Sequence, residues 1–197
     1  RATQIATSIS TIYLTLTLAF AAAYRATGMD VFDATVHAMT TVATGGFANY
    51  DDSFARFSGA AEYVACVFMI LAALPFVRYV QMTALGSARP LLRDTQVRAF
   101  LATAAVLVAV LTLWRLAATD ATGEPAARQA LFNVVSILTG TGYASTDYGS
   151  WGAFAVALFF FVGLIGGCAA STSCSVKIFR YQLLFASIRV QLRRIRA

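Results

Sequence analysis

The 197-residue chain has few charged residues and many apolar ones. Hydrophobic residues make up 59% of it, charged residues 12%, and its mean hydropathy is +0.70. About a quarter of the residues of a soluble globular protein are charged, so the composition excludes an ordinary soluble domain and predicts an integral membrane protein. The net charge of +6 does not predict nucleic-acid binding, because the basic residues cluster at the ends of apolar segments.

Four apolar segments are long enough to cross a bilayer, which takes roughly 20 residues. They cover residues 5–24, 60–80, 99–118 and 151–185. The fourth is too long for one simple span and is interrupted by GLIGGCAASTSCS. A moderately apolar stretch follows the first span and another follows the third. We expect each to be a short helix that enters the bilayer and returns as extended backbone, which is tolerated only where protein or a watery cavity surrounds it.

The two halves of the chain repeat one order of elements. Each has a span, a charged linker, a short amphipathic helix, a Gly/Thr turn ending in Gly-aromatic-Ala, a polar loop and a second span. TTVATGGFANY and SILTGTGYAST carry the two turns, and their final glycines, Gly46 and Gly142, lie 96 positions apart. Such a repeat decides the fold. The sequence predicts an all-α membrane protein of two tandem helix–pore-loop–helix units, residues 1–95 and 96–197.

Charge predicts the orientation in the membrane. The linker between the second and third spans carries several arginines and one acid, and the C-terminal end carries six basic residues and no acid. The positive-inside rule therefore places the linker and the C-terminus in the cytoplasm. The other eight acidic residues flank the two re-entrant stretches. Both Gly/Thr turns are accordingly expected on the outer side, below a mildly acidic mouth.

The Gly/Thr turns have the composition of an ion-selectivity filter. A dehydrated monovalent cation needs a cage of oxygens, which backbone carbonyls can supply, and glycine reaches the required backbone angles without strain. Neither turn carries a charged side chain, so a carbonyl cage is favoured over a carboxylate ring; a single such turn would commonly be only a loop. We expect Phe47 and Tyr143 to pack behind the turns as braces. The predicted filter residues are Ala43, Thr44, Gly45, Gly46, Thr139, Gly140, Thr141 and Gly142.

Three stretches resemble the Trk/Ktr/HKT superfamily of potassium-translocating proteins, and most of all the C-terminal half of its bacterial TrkH branch. HAMTTVATGGFANYDDSF and LFNVVSILTGTGYASTDYGSWG resemble the third and fourth filters, and GGCAASTSCSVKIFRYQLL resembles the last pore helix. The resemblance implies four units around a pseudo-fourfold pore, so that this chain is half of the pore and the N-terminal repeats are missing. It implies K+ as the permeant ion and no cofactor.

The same resemblance implies partners and a location. Members form homodimers in membrane lipid and bind a cytoplasmic nucleotide-binding regulatory subunit. We therefore expect a multi-pass protein of the bacterial inner (cytoplasmic) membrane with a cytoplasmic C-terminus, and no nucleic-acid partner.

The second span contains a candidate gate. Pro75 lies in its middle after Ala72, Ala73 and Leu74, and proline inside a helix removes a hydrogen bond and kinks it. The resemblance implies an intramembrane loop here that moves to open the pore, although this stretch has no glycine. A kinked apolar plug that gates by dewetting and a proline kink that matters only for packing are both open.

Two cations follow the interrupted fourth span. The resemblance implies a positive residue that contacts the intramembrane loop and holds it closed, and by spacing Arg180 is the first choice and Lys177 the second. The alternative is that both only snorkel to the cytoplasmic surface. The pair Cys174-Ser175 stands where the family often has Gly-Gly, which argues against a close helix crossing there.

Outside these regions the sequence predicts no catalytic or metal site. The three cysteines and His37 lack metal-ligand spacing and are expected to pack, while Asn133 and Ser136 are expected to brace the second turn. No GxSxG, HExxH or Walker motif is present, so the chain is not expected to be an enzyme. Two functions compete: potassium translocation through a carbonyl filter, and a non-conducting, degenerate half-transporter that acts as a membrane interaction scaffold.

Overall fold

The computed structural model describes residues 2–119 and 123–196, and almost all of its regular structure is helical. The helices of the first half are α1 (Ala2–Ala26), α2 (Val31–Val42), α3 (Ala60–Ala72), α4 (Phe76–Leu85) and α5 (Arg89–Leu92). Those of the second half are α6 (Thr95–Ala118), α7 (Gly123–Thr139), the 3-10 turn Tyr148–Trp151, α8 (Ala153–Gly163) and α9 (Ile178–Arg196). Strands β1 (Ile165–Gly166) and β2 (Val176–Lys177) pair in parallel, Ile165 with Val176.

The predicted spans are confirmed in part. Within the described residues, two single helices are long and apolar enough to cross a membrane, Thr3–Ala26 and Thr95–Ala118, and they match the first and third predicted spans. The segment 60–80 is not one continuous helix: α3 and α4 meet at an angle of 87° across residues 73–75, where the sequence predicts a proline kink. The fourth predicted span is also divided: α8 ends at Gly163, and α9 begins only at Ile178.

Acidic residues begin three of the helices. The Asp30 carboxylate accepts a hydrogen bond from the Asp33 N–H (2.7 Å) at the start of α2, and Asp94 accepts one from the Gln96 N–H (2.8 Å) at the start of α6. Glu62 reaches back to the Gly59 N–H (2.9 Å) at the start of α3. Such caps satisfy N–H groups that have no partner inside the helix.

The two predicted units share a core. Helix α1 packs on α2, α6 packs on α7, and α3 of the first unit packs on α7 of the second. The largest apolar cluster contains α1, α2 and α3 residues together with Phe132, Val135 and Tyr143 from the second unit. The division at 95/96 stays a prediction about the repeat; in packing, the second unit rests directly on the first.

Candidate functional site

Helices α2 and α7 each end in one of the Gly/Thr turns, which we call the first loop (residues 43–46) and the second loop (residues 139–142). The backbone of both loops adopts left-handed angles at equivalent positions. In the first loop φ is +49° at Thr44 and +67° at Gly46, and in the second it is +73° at Gly140 and +89° at Gly142. The intervening residue of each loop does not adopt a positive φ, so the backbone alternates in handedness.

The loops use their N–H groups and leave carbonyls free. The Gly45 N–H donates to the Thr40 carbonyl (2.8 Å), and the Gly142 N–H donates to the Ser136 carbonyl (3.2 Å). In the described part of the chain, no donor contacts the carbonyl oxygens of the glycines at 45, 46 and 142 or of Thr141. The loops therefore present oxygen atoms without partners, which is the chemistry that a desolvated cation requires.

The two loops touch each other. A Cβ atom added to Gly46 would overlap the carbonyl oxygen of Thr141, and one added to Gly140 would overlap Sγ of Cys174. A Cβ on Gly142 would meet nothing within 4 Å, so only its φ of +89° requires glycine there. Glycine at 46 is fixed both by its backbone angle and by close contact between the units.

Tyr143 ties the second loop to the first unit. Its side chain is buried, and its hydroxyl contacts Oγ1 of Thr40 and Oγ1 of Thr41 (3.3 Å) and donates to the His37 carbonyl (3.2 Å), all on α2. Tyr24 of α1 reaches the same Thr41 hydroxyl (2.9 Å). Tyr143 thus packs behind the second loop, and the helix that it contacts belongs to the other unit.

Phe47 follows the first loop as Tyr143 follows the second, but no described helix covers it, and its role as a brace stays a prediction. Its side chain is 75% exposed. The physical reason is its neighbourhood: Tyr143 is covered by α2 of the other unit, and no described helix lies in the equivalent place beside Phe47. The nearest loop contact is with Gly45, whose added Cβ would lie 3.3 Å from the Phe47 ring.

Polar side chains on α7 hold the second loop from inside. The Ser136 hydroxyl donates to the Tyr143 carbonyl (2.7 Å), and Asn133 exchanges hydrogen bonds with Ser145, whose hydroxyl it contacts at 3.0 Å and whose N–H it accepts at 3.2 Å. Both side chains are in the bracing contacts that the sequence predicts. His37, on α2, donates from Nδ1 to the Asp33 carbonyl (2.8 Å) and lies among aromatic rings.

Asp33 plays the corresponding part in the first unit, where sequence reasoning missed it. It is buried, and its carboxylate accepts hydrogen bonds from Asn49 (2.7 Å) and from the Tyr50 hydroxyl (3.0 Å) after the first loop. The sequence analysis counted it only among the outer acids. Its place on the amphipathic helix, one turn before His37, could have indicated that it is buried.

The break in the second span and the interruption of the fourth form one assembly. We call residues 164–177, between α8 and α9, the crossing segment. The Cys168 N–H donates to the Ala73 carbonyl (3.0 Å), and the Phe76 N–H donates to the Ala170 carbonyl (2.8 Å). The Thr172 hydroxyl lies 3.1 Å from the Ala72 carbonyl and 2.9 Å from the carbonyl of Val42, at the end of α2. The crossing segment therefore covers the C-terminal ends of both α2 and α3.

The candidate gate residues lie in two places, at the end of α3 and in or after the crossing segment. Ala72, Ala73 and Leu74 are buried where α3 stops. The carbonyls of Ala72 and Ala73 accept hydrogen bonds from the crossing segment. Lys177, the second choice among the cations, donates from Nζ to the Ser173 carbonyl and to the Ser171 hydroxyl (3.4 Å). Arg180, the first choice, is exposed and makes no hydrogen bond in the described part of the chain.

Two arginines that sequence reasoning did not select connect α7 to its surroundings. Arg128 pairs with the buried carboxylate of Glu62 on α3 and with Glu124 (2.7 Å). Arg115 of α6 donates to the Ala126 carbonyl (3.0 Å) and lies 3.9 Å from the centre of the Trp151 ring. Arg115 also donates to Oε1 of Gln129 (3.1 Å). Its role was not predicted from the sequence because its partners are a backbone carbonyl, an amide oxygen and an aromatic ring rather than an acid.

Comparison with known proteins gives a consistent result. The TrkH family of cation transport proteins matches residues 2–196. The chain is 45% identical to the Trk system potassium uptake protein TrkI of Halomonas elongata over 96% of this chain and 38% of that protein, and 36% identical to TrkH of Vibrio parahaemolyticus over 93% and 39%.

The crystal structure of the potassium transporter TrkH from Vibrio parahaemolyticus has the same fold. It superimposes with a TM-score of 0.94 at 34% identity, over 99% of this chain and 42% of that one. The chain therefore spans well under half of the length of the relatives it matches. These relatives are transport proteins and not enzymes, as the sequence predicts, and the described fold is that of a helical membrane transporter. The chain belongs to the TrkH family of cation transport proteins.

Proposed function

We propose that this chain forms part of a pore that translocates K+ across the membrane, with the first and second loops as two walls of a carbonyl filter. The observation that carries the proposal is the contact of the two loops at Gly46 and Thr141, with carbonyl oxygens left without donors on both sides. Potassium is the ion because it is the one named for the relatives in sequence and in structure. No cofactor takes part.

Two walls do not enclose an ion, so the proposal requires further units. Support comes from the exposed face of the first unit: Val31, Phe32 and Met39 on α2 and Phe47 after it are between 55% and 75% exposed. This face corresponds to the face of α7 and Tyr143 that the first unit covers. A preceding helix–pore-loop–helix unit would bury it in the same way, and the greater length of the relatives leaves room for such units.

The crossing segment is the proposed gate. It lies across the helix ends that lead to the loops, and Cys174 contacts Gly140 at the base of the second loop. Opening the pore requires the hydrogen bonds from Cys168 and Thr172 to the end of α3 to break. Lys177 favours the closed form because its ammonium group binds carbonyl and hydroxyl oxygens within the segment.

The remaining expectations are part of the same proposal. The protein works in the inner membrane of a bacterium, with its C-terminus in the cytoplasm, as a homodimer that binds a nucleotide-binding regulatory subunit. The basic C-terminal helix α9, which carries exposed Arg189, Arg193 and Arg194, supports the cytoplasmic orientation.

Potassium uptake by the intact protein, in a strain without its own uptake systems, tests the filter. Gly142→Ala is the informative change, because the added Cβ meets nothing within 4 Å and only the left-handed backbone is strained. Gly59→Ala is the matched control: φ is +87° and its Cβ also meets nothing, but it lies at the start of α3. We expect uptake to fall to background with Gly142→Ala and to persist with Gly59→Ala. Uptake that survives Gly142→Ala, or is absent from the unmodified protein, would favour the non-conducting scaffold.

A further inference from the structure

The linker between α4 and α6 borders an open cavity of about 440 Å³. Three arginines line it, which is unusual for a chain with so few charges. Its polar and exposed apolar lining residues are Arg78, Leu85, Ser87, Arg89, Arg93 and Asp94.

Only one of the three guanidinium groups is neutralised. Arg78 donates from Nε to Oδ2 of Asp94 (2.6 Å), and the other carboxylate oxygen of Asp94 accepts the Gln96 N–H. Burial by itself would raise the pKa of the Asp94 carboxyl, but the hydrogen bonds from Arg78 and from backbone N–H groups hold that pKa below its ordinary value. Asp94 is therefore ionised and fully committed to Arg78 and to the start of α6.

Arg89 and Arg93 have no such partner. Arg89 begins α5 and Arg93 follows its end, both side chains are exposed, and neither guanidinium makes a hydrogen bond or ion pair within the described residues. Like charges four residues apart repel each other. The Ser87 hydroxyl accepts the Arg89 N–H (3.3 Å), which leaves its own O–H free to donate. Two planar guanidinium groups and a hydroxyl around one cavity match the oxygens of a phosphate group.

The cavity lies at the end of a candidate membrane span. Helix α6, one of the two single-helix candidate spans, begins at Thr95, immediately after the cavity-lining Asp94. Leu85 and Leu92 beside the cavity are 68% and 66% exposed, as suits contact with acyl chains. Basic pockets at the cytoplasmic ends of membrane helices bind anionic headgroups.

We propose that this cavity binds a phosphate group through Arg89, Arg93 and Ser87. Two sources carry that chemistry, the headgroup of an anionic phospholipid and a soluble phosphate compound. The site is separate from the loops and from the crossing segment, so it does not depend on the proposed conduction pathway.

The test compares two charge-matched double variants of the intact protein, purified in detergent and freed of lipid. Arg89→Gln/Arg93→Gln removes the two free guanidinium groups of the cavity. Arg98→Gln/Arg194→Gln removes the same charge from two exposed arginines outside it. One arm measures bound phosphatidylglycerol by native mass spectrometry, and the other measures bound inorganic phosphate by equilibrium dialysis with a radioactive tracer. Circular dichroism checks that both variants keep their helix content.

We expect the cavity variant to lose binding by roughly tenfold or more in one arm, because each guanidinium contributes charge-assisted hydrogen bonds. The control variant should bind as the unmodified protein does. Loss in the phosphatidylglycerol arm identifies a lipid site, and loss in the inorganic phosphate arm identifies a soluble ligand. Equal binding by the unmodified protein and the cavity variant in both arms, or an equal loss in the control variant, overturns the proposal.

Discussion

The first and second loops share a backbone and differ in what surrounds them. Both adopt left-handed angles at equivalent positions, yet the aromatic residue that follows is 1% exposed at Tyr143 and 75% exposed at Phe47. Tyr143 is buried because it packs on α2 of the other unit. The difference teaches that α2 of the neighbouring unit covers the aromatic residue after the second loop, whereas the first loop adopts the same backbone angles without such a cover among the described residues.

The same difference appears on α2 and α7 themselves. Arg128 on α7 pairs with the buried Glu62 of the first unit, whereas the residue 96 positions earlier, Phe32 on α2, is 68% exposed. The face of α7 is therefore an interface between units, and the matching face of α2 has no partner among the described residues. Four single changes and one double variant test whether the two units are equivalent, beginning with the largest expected effect.

Removing Arg128 should be the most costly change. Arg128→Met leaves the Glu62 carboxylate, 1% exposed, without its charge partner. Breaking a buried ion pair from one side costs about 3–5 kcal/mol, measured as the free energy of unfolding in detergent. Arg56→Met, at an exposed arginine that lies over the Tyr50 ring, is the control and should cost far less.

A double variant separates the lost pair from the unpaired charge. Glu62→Gln/Arg128→Met removes the carboxylate and keeps an amide oxygen for the Gly59 N–H. It should recover most of the loss. A single Arg128→Met change that costs no more than Arg56→Met would show that the pair does not hold the units together.

Phe47→Ala should reveal whether a further unit covers the first loop. The side chain is 75% exposed in this chain, and an exposed position costs within about 0.5 kcal/mol. If a preceding unit packs on it in the intact protein, the change costs about 3–5 kcal/mol, as for a buried aromatic ring. We expect the larger value in an unfolding titration of the intact protein. A cost near zero would mean that the two loops are not equivalent.

Tyr143→Phe should cost about 1–3 kcal/mol. The ring remains, but the hydroxyl contacts with Thr40, Thr41 and the His37 carbonyl are lost, and buried polar groups are left unsatisfied. The unfolding free energy of Tyr143→Phe should fall below that of Tyr148→Phe, because no hydrogen bond of the Tyr148 hydroxyl is described. Equal unfolding free energies for the two variants would show that the Tyr143 hydroxyl does not stabilise the fold.

Ser136→Ala should have the smallest effect, about 1 kcal/mol. It removes the hydrogen bond to the Tyr143 carbonyl (2.7 Å) inside the second loop. Thr35→Ala is the control, since that exposed hydroxyl bonds only to Val31 within α2 (2.7 Å). If the Ser136 hydrogen bond stabilises the second loop, Ser136→Ala should lower the unfolding free energy more than Thr35→Ala does. Equal unfolding free energies for the two variants would show that it does not.

The sequence predicted those features that depend on composition and repetition. Apolar length predicted α1 and α6, and the second copy of the Gly/Thr turn predicted that each loop follows a short helix and needs backbone angles that glycine reaches without strain. Thr44 was assigned to the filter as well, but its left-handed angle was not predicted, because a β-branched residue disfavours it.

Contacts between distant segments could not be predicted. The crossing segment meets the break after α3 through the backbone of Cys168, Ala170 and Phe76, and backbone hydrogen bonds carry no sequence signal. The exposure of Phe47 likewise could not be predicted, because its place in the repeat is the same as that of the buried Tyr143. Arg128 and Glu62 are far apart in sequence, so each looked like a charge at the surface.

The filter itself can be observed directly. Crystals of the intact protein soaked in Rb+, which replaces K+ and scatters anomalously, should show an anomalous peak beside the unpartnered carbonyl oxygens of the two loops, at Gly45, Gly46, Thr141 and Gly142. A crystal of Gly142→Ala should lack that peak. Anomalous density elsewhere in the pore but not at these carbonyls, or an unchanged peak in Gly142→Ala, would contradict the assignment of the two loops as walls of an ion filter.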